Sequence, residues 1–552
     1  MSESTNRSYY LLTLIAAMLS VLYLCACSGP TPPENYEPTF ELLETTDITR
    51  TEATISARIH KRGSTDLTHL SFHYGESGNI SSQVDLSKPD LQLQTYRLQE
   101  LKPGTSYSWY IEGHTTTATL RSEIISFTTV PNELPTVSPI AALSTGPVGI
   151  IVSFDITDDG GEPLLEAGCE VTDNSASTTT RLYLPAENLS TGSHRMYIGS
   201  LDIETNYTFT PFASNLLGES KGISIDFTTR NSIMLTEAGS LPHLFEGTAS
   251  IELDQLTISG YMNGDDFKFL RLLLGAPLLP DEHYIESKVS KIDLSDADIV
   301  EGGASYDGSR FTTDNQISTG LLADCINLLD IILPNTAATL ARDAFSRCSS
   351  LEYLTISSDT KSVLPSAGCT CLKSIRVSDA NTHFTAIDGV LFNNDATEII
   401  WFPLGKTGNY SLPPTITRIG ENAFFGTGIT GLEIPPSVTS IGRGAFAESS
   451  LTEISLPDYI TNISEGMFQN CTLLTTLRLG KATEFIGNFV FDGTDIKNLY
   501  VSAPIPPFTS EDAFFNLTSS ITENCVLHVP YGCKAVYRNH SDWGNFSVIE
   551  EF

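Results

Sequence analysis

His69 and His73 stand four residues apart, a spacing that could suit a metal pair. They fall in Leu70-Ser-Phe72-His-Tyr74, whose alternation predicts a strand, and no third ligand is near. Asp155, Asp158, Asp159 and Glu162 surround Gly160-Gly161, and such a group could hold Ca²⁺ through oxygen ligands. An acidic hairpin tip explains them without an ion, so no metal and no cofactor is expected. The sequence has no H-E-x-x-H, no G-x-S-x-G, no P-loop and no G-x-G-x-x-G, so it is not expected to be an enzyme.

Cysteine is the other reactive type. Cys325, Cys348 and Cys471 recur at one position of a repeat, where Cys serves as a small buried hydrophobe. Cys525 and Cys533 flank Val529-Pro-Tyr-Gly532, and a disulfide between them stays open. Cys369 and Cys371 receive no role. Cys27 is different. An apolar run from Tyr9 to Ala26 follows Arg7 and ends Leu24-Cys25-Ala26-Cys27. This resembles a bacterial lipobox, which implies cleavage before Cys27 and lipidation of its thiol. An apolar segment followed by a small residue is what export and cleavage require. Two or three acyl chains then hold a protein stably at a membrane. An uncleaved anchor and an ordinary secretory signal are the alternatives.

The positioning elements repeat. Ile429-Thr-Gly-Leu432-Glu-Ile434, Leu451-Thr-Glu-Ile454-Ser-Leu456, Leu474-Thr-Thr-Leu477-Arg-Leu479 and Ile496-Lys-Asn-Leu499-Tyr-Val501 share one pattern. Phe424, Phe446, Phe468, Phe491 and Phe514 follow at steps of 22, 22, 23 and 23 residues. A fixed period of this size predicts a solenoid, because a single unit cannot bury its apolar face and a stack can. In each short strand the fourth and sixth residues point inward and the third and fifth outward. That places Tyr353, Arg376, Trp401, Arg478 and Tyr500 on an outward ribbon, with Ile399 beside Trp401 and with Asp330, Glu433 and Glu453 among the neighbours. Aromatic and arginine side chains on one face have the composition of protein-interface anchors.

The unit L-x-x-I-x-L-P-x-x-V/I-x-x-I-x-x-x-A-F, with the longer Asn381–Phe392 element and the closing Trp543-Gly-Asn-Phe546, resembles the BspA-like family of bacterial surface leucine-rich repeats. The resemblance covers Leu256 to Phe552. It implies binding of host matrix proteins or other cell surfaces.

Ahead of the solenoid, Ala53-Thr-Ile55-Ser-Ala57-Arg-Ile59 and Tyr107-Ser-Trp109-Tyr-Ile111 alternate with period two. Leu101-Lys-Pro-Gly-Thr-Ser-Tyr107 resembles the tyrosine corner of fibronectin type III domains. Leu201…Tyr207 and Phe227-Thr-Thr229 repeat Leu101…Tyr107 and Phe127-Thr-Thr129 at an offset of 100 residues. Two tandem sandwiches follow, serving as spacers or, alternatively, binding through their loops. The expected fold is multidomain and mainly β: two tandem fibronectin type III-like β-sandwiches and then a leucine-rich-repeat solenoid. The expected order is a leader 1–26, a Pro-rich linker 27–38, sandwiches 39–131 and 132–230, a cap with a degenerate first repeat 231–327, and the solenoid with its C-terminal cap 328–552.

A net charge of −35 argues against nucleic acid and anionic lipid surfaces as partners. The lipobox and BspA-like resemblances imply a lipid-anchored envelope protein of a Bacteroides-type bacterium. It would sit on the outer membrane, facing outward, and bind a protein or glycan ligand. A glycan-capturing lipoprotein working beside polysaccharide-degrading enzymes is the alternative, with Trp401 stacking on sugar.

Overall fold

The computed structural model describes residues 37–60, 66–87, 92–280, 284–516 and 521–552. The leader, the linker up to residue 36 and Cys27 lie outside the described residues. No helix among those described is long and apolar enough to cross a membrane. Two compact units form. One runs up to Leu134 and takes in 158–163 and 215–218; the other comprises 135–157, 164–214 and 219–552.

The first unit is a fibronectin type III-like sandwich. Strands Thr39–Leu42, Ala53–His60 and Leu93–Leu98 make one sheet. The facing sheet contains Asn79–Asp85, His69–Glu76, Ser106–His114, Thr119–Arg121 and Ile125–Thr128. Inward residues Ile55, Phe72, Trp109 and Ile111 are all 0% exposed. The tyrosine corner is present: the Lys102 backbone N–H donates to the Tyr107 hydroxyl at 2.9 Å. The second sandwich repeats it, with Asp202 N–H to the Tyr207 hydroxyl at 2.9 Å.

The acidic hairpin is spoken for by the protein itself. Arg50 grips both oxygens of Asp158 at 3.0 Å. That guanidinium, and then the Gly160 N–H, holds the Asp158 carboxyl below its usual range. Glu162 accepts from Asn132 at 2.7 Å, and Asp159 from the Gly161 N–H at 2.7 Å. No group of potential metal ligands forms among the described residues.

In the second unit, the sheet of the second sandwich formed by Gly192–Ile198, Ile150–Asp158 and Ala141–Thr145 does not end at the sandwich. Strand Ser232–Leu235 pairs antiparallel with Ala141–Thr145, placing Ser144 opposite Leu235. Its other edge pairs parallel with Gln255–Met262, from which the ladder runs through Lys291–Asp293, Asp330–Ile332, Tyr353–Ile356 and Ser374–Val377. The sandwich sheet thus becomes the solenoid ribbon. Ile151, on the sandwich's outer face, shares a core with Leu235, Leu244, Leu256 and Ile258. A solenoid end needs such a seal because its last strand would otherwise present bare backbone and apolar side chains.

A helix, Gly264–Leu273, closes this end. Its capping box pairs the Asn263 side chain with the Asp266 N–H and the Asp266 side chain with the Asn263 N–H, and the Asn263 side chain also accepts from the Asp265 N–H at 3.0 Å. Asp266 is 0% exposed and also accepts from Gly239 and Leu241 at 2.6 and 2.8 Å. Burial pushes its carboxyl up to about 6, against the pull of those N–H groups. Arg271, nearly buried, donates to the carbonyls of Gly320, Leu321 and Ala323, satisfying backbone that has no ladder partner.

Each coil contributes one ribbon strand, one short strand on a second wall, and a wedge. In the ribbon, Ile292, Ile331, Leu354 and Ile375 stand in register and are at most 2% exposed. On the second wall, Ile317, Leu340 and Val363 also stand in register and are buried. The wedges stack: Phe402 on Phe424 at 5.0 Å, Phe424 on Phe446 at 5.6 Å, Phe446 on Phe468 at 5.5 Å, and Phe491 on Phe514 at 5.8 Å between ring centres. Trp543 and Phe546 close the column edge-on against Phe514. The repeat cysteines are buried free thiols, joined in this by Cys369. Cys348, Cys369 and Cys471 donate to the carbonyls of Leu322, Phe345 and Phe446 in the preceding coils. Cys525 and Cys533 are free, so the disulfide left open by the sequence is not formed.

Candidate functional site

The ribbon carries two stacks of planar groups. Near its start, the Arg376 guanidinium lies 4.5 Å from the centre of the Tyr353 ring and pairs with Asp330 at 3.3 Å. Near its end, Arg478 lies 3.7 Å from the centre of the Tyr500 ring, and His528 stacks on the same ring at 4.1 Å with the planes 9° apart. The strand of Tyr500 is laddered to the strand of Arg478 on one side and to that of His528 on the other. Strand register therefore builds the stack, because parallel neighbours in register bring like positions side by side. His528 is braced by Asn498 at 3.0 Å. Burial lowers its pKa; Glu550 opposes this and Arg478 adds to it. Between the stacks, Asn409, Ser411, Thr430, Glu433, Glu453 and Ser455 line a polar groove of about 550 Å³.

Tyr353, Arg376, Arg478 and Tyr500 thus lie on the ribbon. Trp401 does not. It is 1% exposed, and Ile399 is 0% exposed. Strand Glu398–Trp401 pairs with Arg418–Ile419, so it belongs to the second wall and not to the ribbon. The ribbon strand of that coil is Thr407–Ser411, which pairs with Gly428–Glu433. The hairpin Phe384–Ile387/Val390–Asn393 enters just before and carries the chain across. An Ile-Ile-Trp run reads as a ribbon strand, whereas Thr-Gly-Asn-Tyr-Ser has no apolar signal. The sugar-stacking role expected of an outward Trp401 loses its basis.

At this place the solenoid has a seam. The ladder from the sandwich ends at Ser374–Val377, and the second-wall ladder from Gln316–Ile317 ends at Ser362–Val363. The hydrophobic core also divides: Leu391 and Trp401 fall in one cluster, Phe392 and Phe402 in the next. The cause is legible in the residues. Phe345 stands three before Cys348, but three before Cys369 stands Ser366. The wedge is missing there, and the Ser366 hydroxyl accepts from the Phe345 N–H at 3.2 Å. A cavity of about 180 Å³ remains, lined by Arg342, Asp343, Ser366, Trp401, Asn422 and Phe425 among others.

Comparisons agree with the repeat reading. Residues 312–407 and 401–521 match the family described as BspA type leucine rich repeat region, in six copies. No curated protein matches the chain. Among solved structures, the pneumococcal vaccine antigen PcpA is 18% identical, covering 54% of this chain and 79% of that one with a TM-score of 0.31. A leucine-rich repeat protein from Bacteroides ovatus is 15% identical, covering 48% and 69% with a TM-score of 0.27. A two-domain fibronectin type III segment of chicken tenascin is 15% identical, covering 34% and 98% with a TM-score of 0.19. Residues 312–521 of the solenoid thus match the BspA-type leucine-rich-repeat family, and two fibronectin type III-like β-sandwiches precede them.

Proposed function

We propose that this is a lipid-anchored protein of a bacterial outer surface that binds a protein partner through the solenoid ribbon, without catalysing a reaction. Host matrix proteins and the surfaces of other cells are the partners this reading favours. The observation that carries it is the pair of stacks, Arg376 on Tyr353 and Arg478 on Tyr500. A guanidinium held over a ring has already lost much of its rotamer freedom, and Arg376, paired with Asp330 at 3.3 Å, is held from a second side as well. Holding it in place beforehand lowers the ordering cost of binding. Tyr500 has Arg478 and His528 stacked on it, so its ring has little open face for a sugar.

Anchoring rests on Leu24-Cys25-Ala26-Cys27 and the apolar run before it. Labelled palmitate incorporated by cells expressing the chain, and lost on Cys27→Ala, tests it. Protease treatment of intact cells distinguishes an outward-facing protein from a periplasmic one.

The polar groove between the stacks favours a second reading, a glycan laid across Asn409, Glu433 and Glu453. Saturable binding of a soluble polysaccharide, lost on Glu453→Gln and unchanged on Arg478→Ala, would select it over the first. The protein reading predicts the reverse dependence.

A further inference from the structure

We propose that the outer face of the five-stranded sheet of the first sandwich docks an acidic peptide segment of a partner protein, with Arg121 receiving its carboxylate, separately from what the ribbon binds. Phe72, Trp109 and Ile111 point into the core, so alternation sends His73, Tyr110 and Glu112 outward. Tyr110 is nonetheless only 9% exposed, because its ring is sandwiched. The Arg121 guanidinium carbon lies 3.4 Å from the ring centre, reaching in from strand Thr119–Arg121. At that distance an edge-on guanidinium would drive a nitrogen into the ring, so the two planes lie close to parallel. From the strand on the other side, His73 stacks on the ring at 4.7 Å with the planes 2° apart. Register builds this stack, because His73 and Tyr110 stand directly opposite each other in the antiparallel ladder. Ser71, 0% exposed, braces His73 through a hydrogen bond of 3.0 Å between its hydroxyl and Nε2.

Arg121 is set apart by its lack of a carboxylate. It is exposed and, among the described residues, makes no hydrogen bond or ion pair. Every other described arginine apart from Arg230 and Arg478 is in an ion pair or donates to backbone carbonyls. Glu112 occupies the place directly opposite Arg121, where a cross-strand ion pair ordinarily forms. Its carboxylate instead lies 3.4 Å from His114, and that of Asp85 lies 3.1 Å from His69. In a chain of net charge −35, a cation that is exposed, unmatched and already held in place favours a carboxylate supplied from outside. The net charge also limits the ligand. It repels a long acidic run, so the fit is to a segment with one or two carboxylates among neutral residues. An acidic sugar fits less well, because both faces of the Tyr110 ring are taken and neither is open for a pyranose to stack on.

The test uses the full chain carrying Arg376→Ala and Arg478→Ala, so that the ribbon does not contribute. It is passed over an array of decapeptides with one or two Asp or Glu and over the same peptides with Asn or Gln. Acidic peptides are expected to bind, and the best of them, followed in solution by fluorescence anisotropy, should bind about tenfold more tightly than its amide counterpart. Adding Arg121→Ala should weaken that binding about tenfold. Adding Arg121→Lys should weaken it about threefold, since an ammonium neither lies flat on the ring nor presents a fork. Arg230→Ala removes the same charge from another exposed arginine and should change nothing. Arg121 is exposed, so its variants should keep the circular dichroism of the parent. The proposal is overturned if no acidic peptide binds the folded chain, if the amide peptides bind as well, or if Arg121→Ala or Arg121→Lys binds as tightly as the parent. It is equally overturned if Arg230→Ala causes the same loss, or if oligogalacturonate binds through Arg121 and the acidic peptides do not. The ribbon arginines are absent throughout, so failure here and failure of the ribbon reading are told apart.

Discussion

Ser144 and Leu235 stand opposite each other in an antiparallel ladder, and through that pair the sheet of a sandwich continues into the ribbon of a solenoid. The second sandwich is therefore the solenoid's end seal. Leu235 is 0% exposed, whereas its neighbour Met234 is 44% exposed on the other face. Leu235→Ala should cost about 2–5 kcal/mol in urea unfolding of the chain, as expected of a core truncation. Met234→Ala should fall within about 0.5 kcal/mol of the parent. A fragment starting at Leu256 loses strand Ser232–Leu235 and should aggregate, because the edge of strand Gln255–Met262 becomes bare. A soluble, fully folded fragment of that kind would refute the seal.

Asp266 gives a pH dependence of unusual sign. Its folded-state value, about 6, lies above that of an unfolded carboxylate, about 3.9. Protonation therefore favours the folded state, and this contribution is full below about pH 4 and lost as pH rises through 6. The difference in unfolding free energy between parent and Asp266→Asn should shift by about 2 kcal/mol towards the parent between pH 7 and pH 4. The variant should also be less stable overall at pH 7, since an amide NH₂ would face the N–H groups of Gly239, Leu241 and Asn263. Equal pH profiles would contradict this.

Thiol reactivity should follow burial. Burial pushes Cys471 up to about 11 and Cys525 up to about 12, and raises Cys325 and Cys369 as well. Cys371 is exposed and Cys533 half-buried. In the folded protein, iodoacetamide should label Cys371 first and Cys533 next by peptide mass spectrometry. Cys325, Cys348, Cys369 and Cys471 should react only after unfolding.

The phenylalanine period and both tyrosine corners were legible in the sequence because each is a local pattern with one physical solution. A ring every 22 or 23 residues has to stack, and Tyr107 and Tyr207 sit five residues beyond the N–H they accept from. Trp401 was misplaced for an equally physical reason. The apolar run Ile399-Ile400-Trp401 has the look of a ribbon strand, while the strand that holds the ribbon place in that coil, Thr407–Ser411, is mostly polar. The ladder between Ser144 and Leu235 was invisible, since pairing of strands 91 residues apart leaves no local trace. The ribbon positions of Tyr353, Arg376, Arg478 and Tyr500 follow from strand alternation. Their stacking does not, because it depends on which coil lies beside which.

The most direct test of a binding ribbon is surface plasmon resonance of the full chain over immobilised matrix proteins, comparing the parent with Arg376→Ala/Arg478→Ala. The parent should bind at least one matrix protein saturably. The double variant, folded by circular dichroism, should bind it at least tenfold more weakly, a loss of about 1.4 kcal/mol or more. Saturable binding that survives both substitutions unchanged, or no saturable binding by the folded parent, would contradict the account.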